Sequence, residues 1–240
     1  MSGQLTLSEA IISFASCIVV IFITLPIHEW AHGFLSTCLG DPTPRYQGRL
    51  TLNPLAHIDW LGALAILTCG IGWAKPVQVN ARYYKSPKWG MALVALAGPI
   101  SNILTAFVAY FLYYLIWVVM SLTGILQNDL IWHTLIFMFF NVIAYISVSL
   151  AVFNLIPIPP FDGSRILFTL LPQKYYFKIM QYERYIFMVF FLFLIVDNWL
   201  ERNYSFSFLS LILDPIIDFV LYCISNLAFL PFKLLLGVLT

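Results

Sequence analysis

The chain has 240 residues, of which 61% are hydrophobic and 10% charged, and its formal net charge is +1 at pH 7. Soluble globular domains carry about 25% charged residues, so this chain lacks the side chains for a surface that faces only water. The composition predicts an all-α polytopic membrane protein, and the near-zero net charge gives no indication of nucleic-acid binding.

The first predicted helix covers residues 8–39 and contains eighteen successive residues, Ala10 to Ile27, without an acidic or basic side chain. A helix needs about 20 mainly apolar residues to span the hydrocarbon core. Gly40-Asp41-Pro42 is a helix-stop sequence and predicts the end of this span. Because no basic residue precedes the apolar stretch, we do not expect a cleaved signal peptide.

The next region, residues 40–89, is predicted not to cross the membrane. Its apolar segment 60–73 is short for a span and is expected to be re-entrant or interfacial. Alternation around Val77 and Val79, flanked by Pro and Asn, predicts a short edge strand.

Further spans are predicted at about 90–119, 132–156, 175–200 and 204–230, which gives about five to six transmembrane helices and a small β element at the cytoplasmic side. We expect residues 1–240 to form a single membrane-embedded domain. Its catalytic core would cover about 8–172, followed by C-terminal helices at about 175–240.

The basic residues predict the orientation of these spans. Residues 40–89 contain six lysines and arginines and residues 162–184 contain four, whereas the loop at 123–130 contains none. Basic residues favour cytoplasmic loops. We therefore expect the N-terminus outside the cell membrane and both basic stretches in the cytoplasm.

The first predicted helix ends in His28-Glu29-Trp30-Ala31-His32, which fits the zinc motif HExxH. Histidines four residues apart share one helix face and can bind one Zn²⁺, while the glutamate can accept a proton from zinc-bound water. The alternative is a pair of interfacial histidines. Three ionisable residues within five positions of a span are costly without a compensating ligand, so we predict one zinc ion per chain.

A catalytic zinc site normally has three protein ligands, so the third must come from another segment. The candidates are His57, Asp59, His133, Asp162, Asp214 and Asp218. Asp162 is favoured because three prolines unwind the chain just before it, and unwound backbone at membrane depth occurs only against protein or a water-filled cavity. A solvated aspartate in a helix-ending turn is the alternative.

The segment Asn154 to Gly163 (NLIPIPPFDG) follows the HExxH motif on a later predicted span, and three more segments accompany it: GRLTLNP at 48–54, GWAKPV at 72–77 and AGPISN at 97–102. In these motifs and in their order, residues 20–172 resemble the site-2 protease family of intramembrane zinc metalloproteases. The chain is similar to the compact branch without an accessory domain. Phe161 and Trp60 replace the family's usual leucine and proline, and neither change removes a functional group.

The resemblance implies a role for each matching residue. It implies His28, His32 and Asp162 as zinc ligands and Glu29 as the catalytic base. It also implies that Asn154 holds the extended substrate near the scissile bond.

Asn102 in AGPISN is implied as a second substrate-binding residue, although close helix packing around Gly98 would also explain the motif. The implied function is hydrolysis of peptide bonds in or near transmembrane segments of membrane-protein substrates, with the active site towards the cytoplasmic side. The alternative is a non-catalytic zinc-binding transporter or scaffold, which would need the ligands but not Glu29 as an adjacent base.

Overall fold

The structure, a computed structural model, describes residues 7–69, 74–124 and 130–239. Regular structure in these three ranges is helical throughout, which confirms the predicted all-α architecture. The α-helices are α1 (Leu7–Val19), α2 (Leu25–Cys38), α3 (Thr43–Tyr46), α4 (Trp60–Cys69), α5 (Pro87–Leu122), α6 (Leu130–Asn154), α7 (Asp162–Leu167), α8 (Gln173–Gln181), α9 (Glu183–Tyr204) and α10 (Phe208–Leu239). A π-helical turn, Val20–Thr24, joins α1 to α2 without a break.

Four helical segments among the described residues are long and apolar enough to cross a membrane: Phe14–Cys38, Pro87–Leu122, Trp132–Asn154 and Phe208–Lys233. The protein is thus a multi-pass membrane protein, but the prediction of about five to six spans is too high for this part of the chain. The segment at 60–73 contributes α4, whose ten residues are too few to cross, and residues 70–73 lie outside the described residues.

The predicted span at 175–200 is replaced by α8 and α9. Charged residues flank the apolar part of α9 on both sides, with Arg184 before it and Asp197 after it, so its uncharged stretch is shorter than a membrane crossing. Two contacts tie α9 to the neighbouring helices α7 and α10. Its first residue, Glu183, lies beside Arg165 of α7, and Asp197 accepts a hydrogen bond from the backbone N–H of Phe208 at the start of α10.

The predicted edge strand at Val77 and Val79 is wrong, because no strand occurs among the described residues. The backbone N–H groups of this stretch are bonded elsewhere. Val77 donates to the side chain of Glu29, Asn80 donates to the side chain of Asp41, and Lys75 donates to the backbone carbonyl of His57. A β-sheet would require the backbone of an adjacent strand to accept these hydrogen bonds. Here the side-chain carboxylates of Glu29 on α2 and of Asp41 just after α2 accept two of them instead.

The core of the bundle lies between α5, α6 and α10. Its buried positions are mostly alanine and β-branched residues, namely Ala106, Ala109, Tyr110, Ile143, Ala144, Val148, Ile217, Ile224 and Ala228. Small residues let helix backbones approach closely, which is how helices gain packing energy in lipid. Helix α5 also contacts α2 and α7, so one long helix supports every element that carries a predicted zinc ligand.

A buried network around Asp41 ties the stretch after residue 74 to the end of α2. The Asp41 carboxylate accepts hydrogen bonds from the hydroxyl of Ser36 (2.8 Å) and from the backbone N–H groups of Thr43 (2.9 Å) and Asn80 (2.7 Å). The hydroxyl of Tyr84 donates in turn to Ser36 Oγ at 2.7 Å. Burial acts to raise the pKa of Asp41, but these hydrogen bonds outweigh burial and lower its pKa below the ordinary 3.8.

We expect Asp41→Asn to destabilise the protein at neutral pH, because the amide NH₂ would face donors in place of an accepting oxygen. Loss of a buried acceptor costs about 1–3 kcal/mol, which should lower the melting temperature in detergent by several degrees. Since the pKa of Asp41 is lowered on folding, its contribution is complete above pH 3.8 and is lost as the pH falls through the folded value.

The measurement is thermal unfolding of both proteins over a falling pH series from pH 7, and the difference between their melting temperatures should narrow below pH 3.8. Asp214→Asn, which changes an exposed carboxylate on α10, is the matched control and should leave the melting temperature unchanged. An equal loss of stability at every pH would contradict the charged role of Asp41.

Candidate metal centre

Three potential metal ligands converge where α2 meets the start of α7. His28 and His32 lie four residues apart on α2, and Asp162 is the first residue of α7. His28 Nε2 and His32 Nε2 are 3.1 Å apart, and Asp162 Oδ2 lies 3.4 Å from the former and 3.3 Å from the latter. Ligand atoms held tetrahedrally at about 2.0–2.1 Å from one zinc ion are about 3.3–3.4 Å apart. The triangle therefore fits a single zinc ion, and these residues could bind one.

The tautomer of His32 follows from its second ring nitrogen. His32 Nδ1 lies 2.7 Å from the backbone carbonyl oxygen of Val94 on α5, and a carbonyl oxygen only accepts. Nδ1 must carry the proton, which leaves the lone pair of Nε2 directed at Asp162 and His28. An imidazole fixed in this way is the usual arrangement of a metal-bound histidine.

Helix α5 approaches the two histidines at Gly98. A Cβ atom at this position would lie 2.4 Å from His32 Nε2 and 2.5 Å from His28 Cε1. Both distances are far below van der Waals contact, so only glycine leaves room for the two rings. Gly163 has a similar role beside Asp162, because a Cβ there would lie 2.1 Å from the backbone oxygen of Leu155.

The π-helical turn ends at Thr24, four residues before His28, the first residue of the HExxH motif. The backbone N–H of Leu25 bonds to the carbonyl of Val20, five residues earlier, and the next residue, Pro26, has no N–H to donate. The π-turn thus shifts the backbone hydrogen-bond pattern at the point where Pro26 cannot donate, and the helix continues without a break into α2. Such π-turns are frequent at functional sites because they change which face of the helix the following residues present.

Glu29 lies next to the donor triangle and is held by backbone. Its Oε2 accepts a hydrogen bond from the N–H of Val77 at 2.8 Å. Val77 itself packs close to α2, since a Cβ at Gly33 would lie 3.3 Å from its Cγ2. The stretch predicted as a strand therefore fixes one oxygen of Glu29 and covers one side of the site.

A cavity of about 410 Å³ opens beside the donor triangle, between α2, α5, α6, α7 and the stretch after residue 74. Glu29 and Asn154 line it together with the three potential ligands, and Arg165 is a further charged lining residue. Most of the remaining lining is apolar, with Leu25, Met91, Val94 and Phe153 among its members. The donor triangle therefore forms part of the wall of this cavity.

The two asparagines predicted to bind substrate lie in different surroundings. Asn154 lines the cavity, and its Nδ2 donates to the carbonyl of Leu150 at 2.9 Å. Asn102 lies one turn beyond Gly98, is fully buried and is not among the residues that line the cavity. Neither polar atom of its side chain has a hydrogen-bond partner among the described residues.

The other candidates for a third ligand lie in separate places. His57 is buried with Nε2 at 2.8 Å from the backbone oxygen of Thr51, and Asp59 accepts from the backbone at the start of α4. The side chain of His133 contacts Tyr113, and Asp214 and Asp218 are exposed on α10. Among the described residues, the structure groups only Asp162 with the two histidines of the motif.

Sequence reasoning missed two residues of this site. Gly98 was considered only for helix packing, although any side chain at this position would displace the histidine rings. Arg165 entered the sequence analysis only as one of the four basic residues at 162–184 that predict the orientation of the spans. Its position three residues after Asp162, on the same face of α7, is a signal that could have placed it in the cavity.

We expect Gly98→Ala to displace the imidazole rings and weaken zinc binding by at least about 10-fold, the effect typical of disturbing the support of metal ligands. The measurement is zinc affinity of the purified protein by competition with a chromophoric chelator. Ile100→Ala, on the exposed face of the same helix, is the matched control and should bind zinc as the unmodified protein does. Equal zinc affinity of all three proteins would contradict the close approach of α5.

Comparison with known proteins agrees with this geometry. The sequence profile of peptidase family M50 matches residues 16–196. The Bacillus subtilis (strain 168) protein YwhC, whose name designates it a candidate zinc metalloprotease, is 39% identical over 173 residues, which cover 72% of this chain and 77% of YwhC. No solved structure matches the chain.

Two more distant relatives are the Rip2 proteins of Mycolicibacterium smegmatis (strain ATCC 700084 / mc(2)155) and Mycobacterium tuberculosis (strain ATCC 25618 / H37Rv), also named as candidate zinc metalloproteases. They are 29% and 27% identical over 149 and 147 residues, and the matches span 51% of each relative. The family match covers most of the chain and includes all three potential ligands. The chain therefore belongs to peptidase family M50, the site-2 protease family of intramembrane zinc metalloproteases.

Proposed function

We propose that the chain is a metalloendopeptidase of the HExxH type, which cleaves membrane proteins in or near their transmembrane segments. His28, His32 and Asp162 would hold one zinc ion, and Glu29 would be the catalytic base. One observation carries this assignment: the three donor atoms form a triangle of zinc-like size, and the only other acidic side chain among the described lining residues is Glu29.

The bound zinc ion would supply Lewis-acid chemistry, which makes a water molecule nucleophilic near neutral pH and polarises the scissile carbonyl. Glu29 accepts the proton of the attacking water and passes it to the leaving amine. The N–H of Val77 holds Oε2 of Glu29, so Oε1 is the oxygen available for this transfer. A fixed carboxylate loses little freedom when it takes part in the reaction, which favours catalysis.

The cavity offers two kinds of surface to a substrate. A transmembrane helix has its carbonyls bonded within the helix, so it must unwind before a peptide bond can be attacked. Asn154 supports this step, because its Nδ2 is already bonded to Leu150 and its amide oxygen can accept an N–H of the unwound substrate. The apolar lining residues would contact the substrate side chains on either side.

The four candidate spans and the basic residues support a topology for the chain. We propose that the N-terminus lies outside, that the metal centre faces the cytoplasmic side, and that residues 1–240 form one domain in the cell membrane. Helix α9 contacts α7 through Glu183 and the start of α10 through Asp197. We propose that α8 and α9 lie at the cytoplasmic face and that α10 returns to the outside.

This topology predicts that Lys85 and Lys174, both exposed, react with a membrane-impermeant amine reagent in inverted vesicles and not in intact cells. Lys233 near the end of α10 should show the opposite pattern. The measurement is mass spectrometry of peptides from labelled protein. Labelling of Lys85 and Lys174 from outside would contradict the orientation. Labelling of Lys233 only from the cytoplasmic side, together with Lys174, would contradict the placement of α9.

We expect Glu29→Gln to keep zinc and to lower proteolysis by about 10²–10⁴-fold, the range that a general base contributes. Zinc content is measured by elemental analysis, and proteolysis by quantitative proteomics of membranes, in which uncleaved substrates should accumulate. Glu201→Gln, an exposed change far along α9, is the control and should behave as the unmodified protein.

Retained proteolysis in Glu29→Gln would exclude Glu29 as the base. A zinc-binding transporter or scaffold would give a different result, with the same membrane proteins and the same fragments in both strains.

A further inference from the structure

The catalytic cavity contains a basic side chain whose position the proposed reaction does not explain. Arg165 is the only lysine or arginine among the described residues that line the cavity. It lies on α7 three residues after Asp162, and residues three apart on a helix are neighbours on one face. Arg165 therefore shares the lining of the cavity with the donor triangle and Glu29.

The hydrogen-bonding capacity of Arg165 is largely unused. A guanidinium has five N–H donors, and none of them is within hydrogen-bond distance of an acceptor among the described residues. Its one ionic neighbour in the part of the chain that the structure describes is Glu183, the first residue of α9, at 3.9 Å. Charge-assisted hydrogen bonds between arginine and a carboxylate are about 2.7–2.9 Å long, so the Arg165–Glu183 contact leaves the donors free.

The pair is also poorly suited to a structural role. Both side chains are 31% exposed, and ion pairs open to water stabilise a protein by about 0–1 kcal/mol. A stronger carboxylate ligand that enters the cavity could replace Glu183 at small cost. Planar guanidinium groups bind carboxylates through two parallel hydrogen bonds, a geometry that an amide or an ammonium group does not offer.

We propose that Arg165 forms a subsite for an acidic side chain of the substrate, close to the scissile bond. Glu183 occupies this position loosely in the free protein and is displaced by the substrate carboxylate. The proposal rests on the proposed peptidase function, and it specifies the substrate class: transmembrane proteins with Asp or Glu near the cleavage site, where the span meets the cytoplasmic side.

The experiment uses single-span reporter proteins that carry Glu, Gln or Lys at each of six successive positions at the cytoplasmic end of the span. The zinc-loaded protein in liposomes should cleave the best Glu reporter with a kcat/KM about 10-fold above that of its Gln counterpart. Arg165→Gln should bring this ratio to about one. Glu183→Gln should keep or raise the ratio, because it removes the competing carboxylate.

The Arg165→Gln and Glu183→Gln variants together distinguish substrate recognition by Arg165 from a purely structural role of the ion pair. If the Arg165–Glu183 pair only tied α7 to α9, both variants would lower cleavage of all reporters equally and leave the Glu-to-Gln ratio unchanged. That result would overturn the proposal, as would a ratio of one in the unmodified protein. Arg165→Lys should recover part of the preference, because lysine keeps the charge and loses the paired donors.

A binding measurement distinguishes failure of the subsite from failure of the proposed function. Zinc-loaded Glu29→Gln protein is titrated with fluorescent peptides, blocked at both ends, that contain either Glu or Gln at the preferred position. Tighter binding of the Glu peptide that disappears on adding Arg165→Gln supports the subsite even if no reporter is cleaved. Equal binding of the two peptides overturns it.

Discussion

Burying His28, His32 and Asp162 together is the constraint on which the rest of this structure depends. Each of these side chains can carry a charge, and each is mostly removed from water inside a bundle whose surface is largely apolar. Charges in such a place are costly unless they are paired or bind a metal ion. A zinc ion would offset this cost. Helix α5 makes the grouping possible, because Gly98 leaves space for the two rings and Val94 fixes one of them.

The stretch after residue 74 shows how carboxylates can organise backbone that has no secondary structure. Val77 donates its N–H to Glu29 on α2, and Asn80 donates to Asp41 just beyond the same helix. One carboxylate is the proposed catalytic base and the other is part of a buried hydrogen-bond network. Catalysis and folding of this stretch are therefore linked, since movement of residues 77–80 would release Glu29 from its only hydrogen bond among the described residues.

Some of this could be predicted from the sequence for clear physical reasons. Uncharged stretches of sufficient length identify spans in lipid, and the spacing of His28 and His32 puts both on one helix face whatever surrounds them. The strand around Val77 could not be excluded, because alternation also occurs in irregular backbone whose N–H groups bond to distant side chains. The failure at α9 is similar: its composition is that of a short span, and only its contacts with Arg165 and Phe208 show that it packs against α7 and the start of α10. Asp162 was favoured by its proline-rich context, but its distance from the histidines depends on packing across α5.

The claim that His28, His32 and Asp162 together hold one zinc ion is tested most directly by X-ray absorption at the zinc edge on the full-length protein in detergent. The account predicts one zinc per chain, with two imidazole nitrogens and only oxygen besides them in the nearest shell, and no sulfur. Substitution of Asp162 by Ala should lower the zinc affinity, while the zinc that still binds keeps both imidazole signals. A sulfur neighbour, or an unchanged zinc affinity of the Asp162→Ala protein, would contradict it.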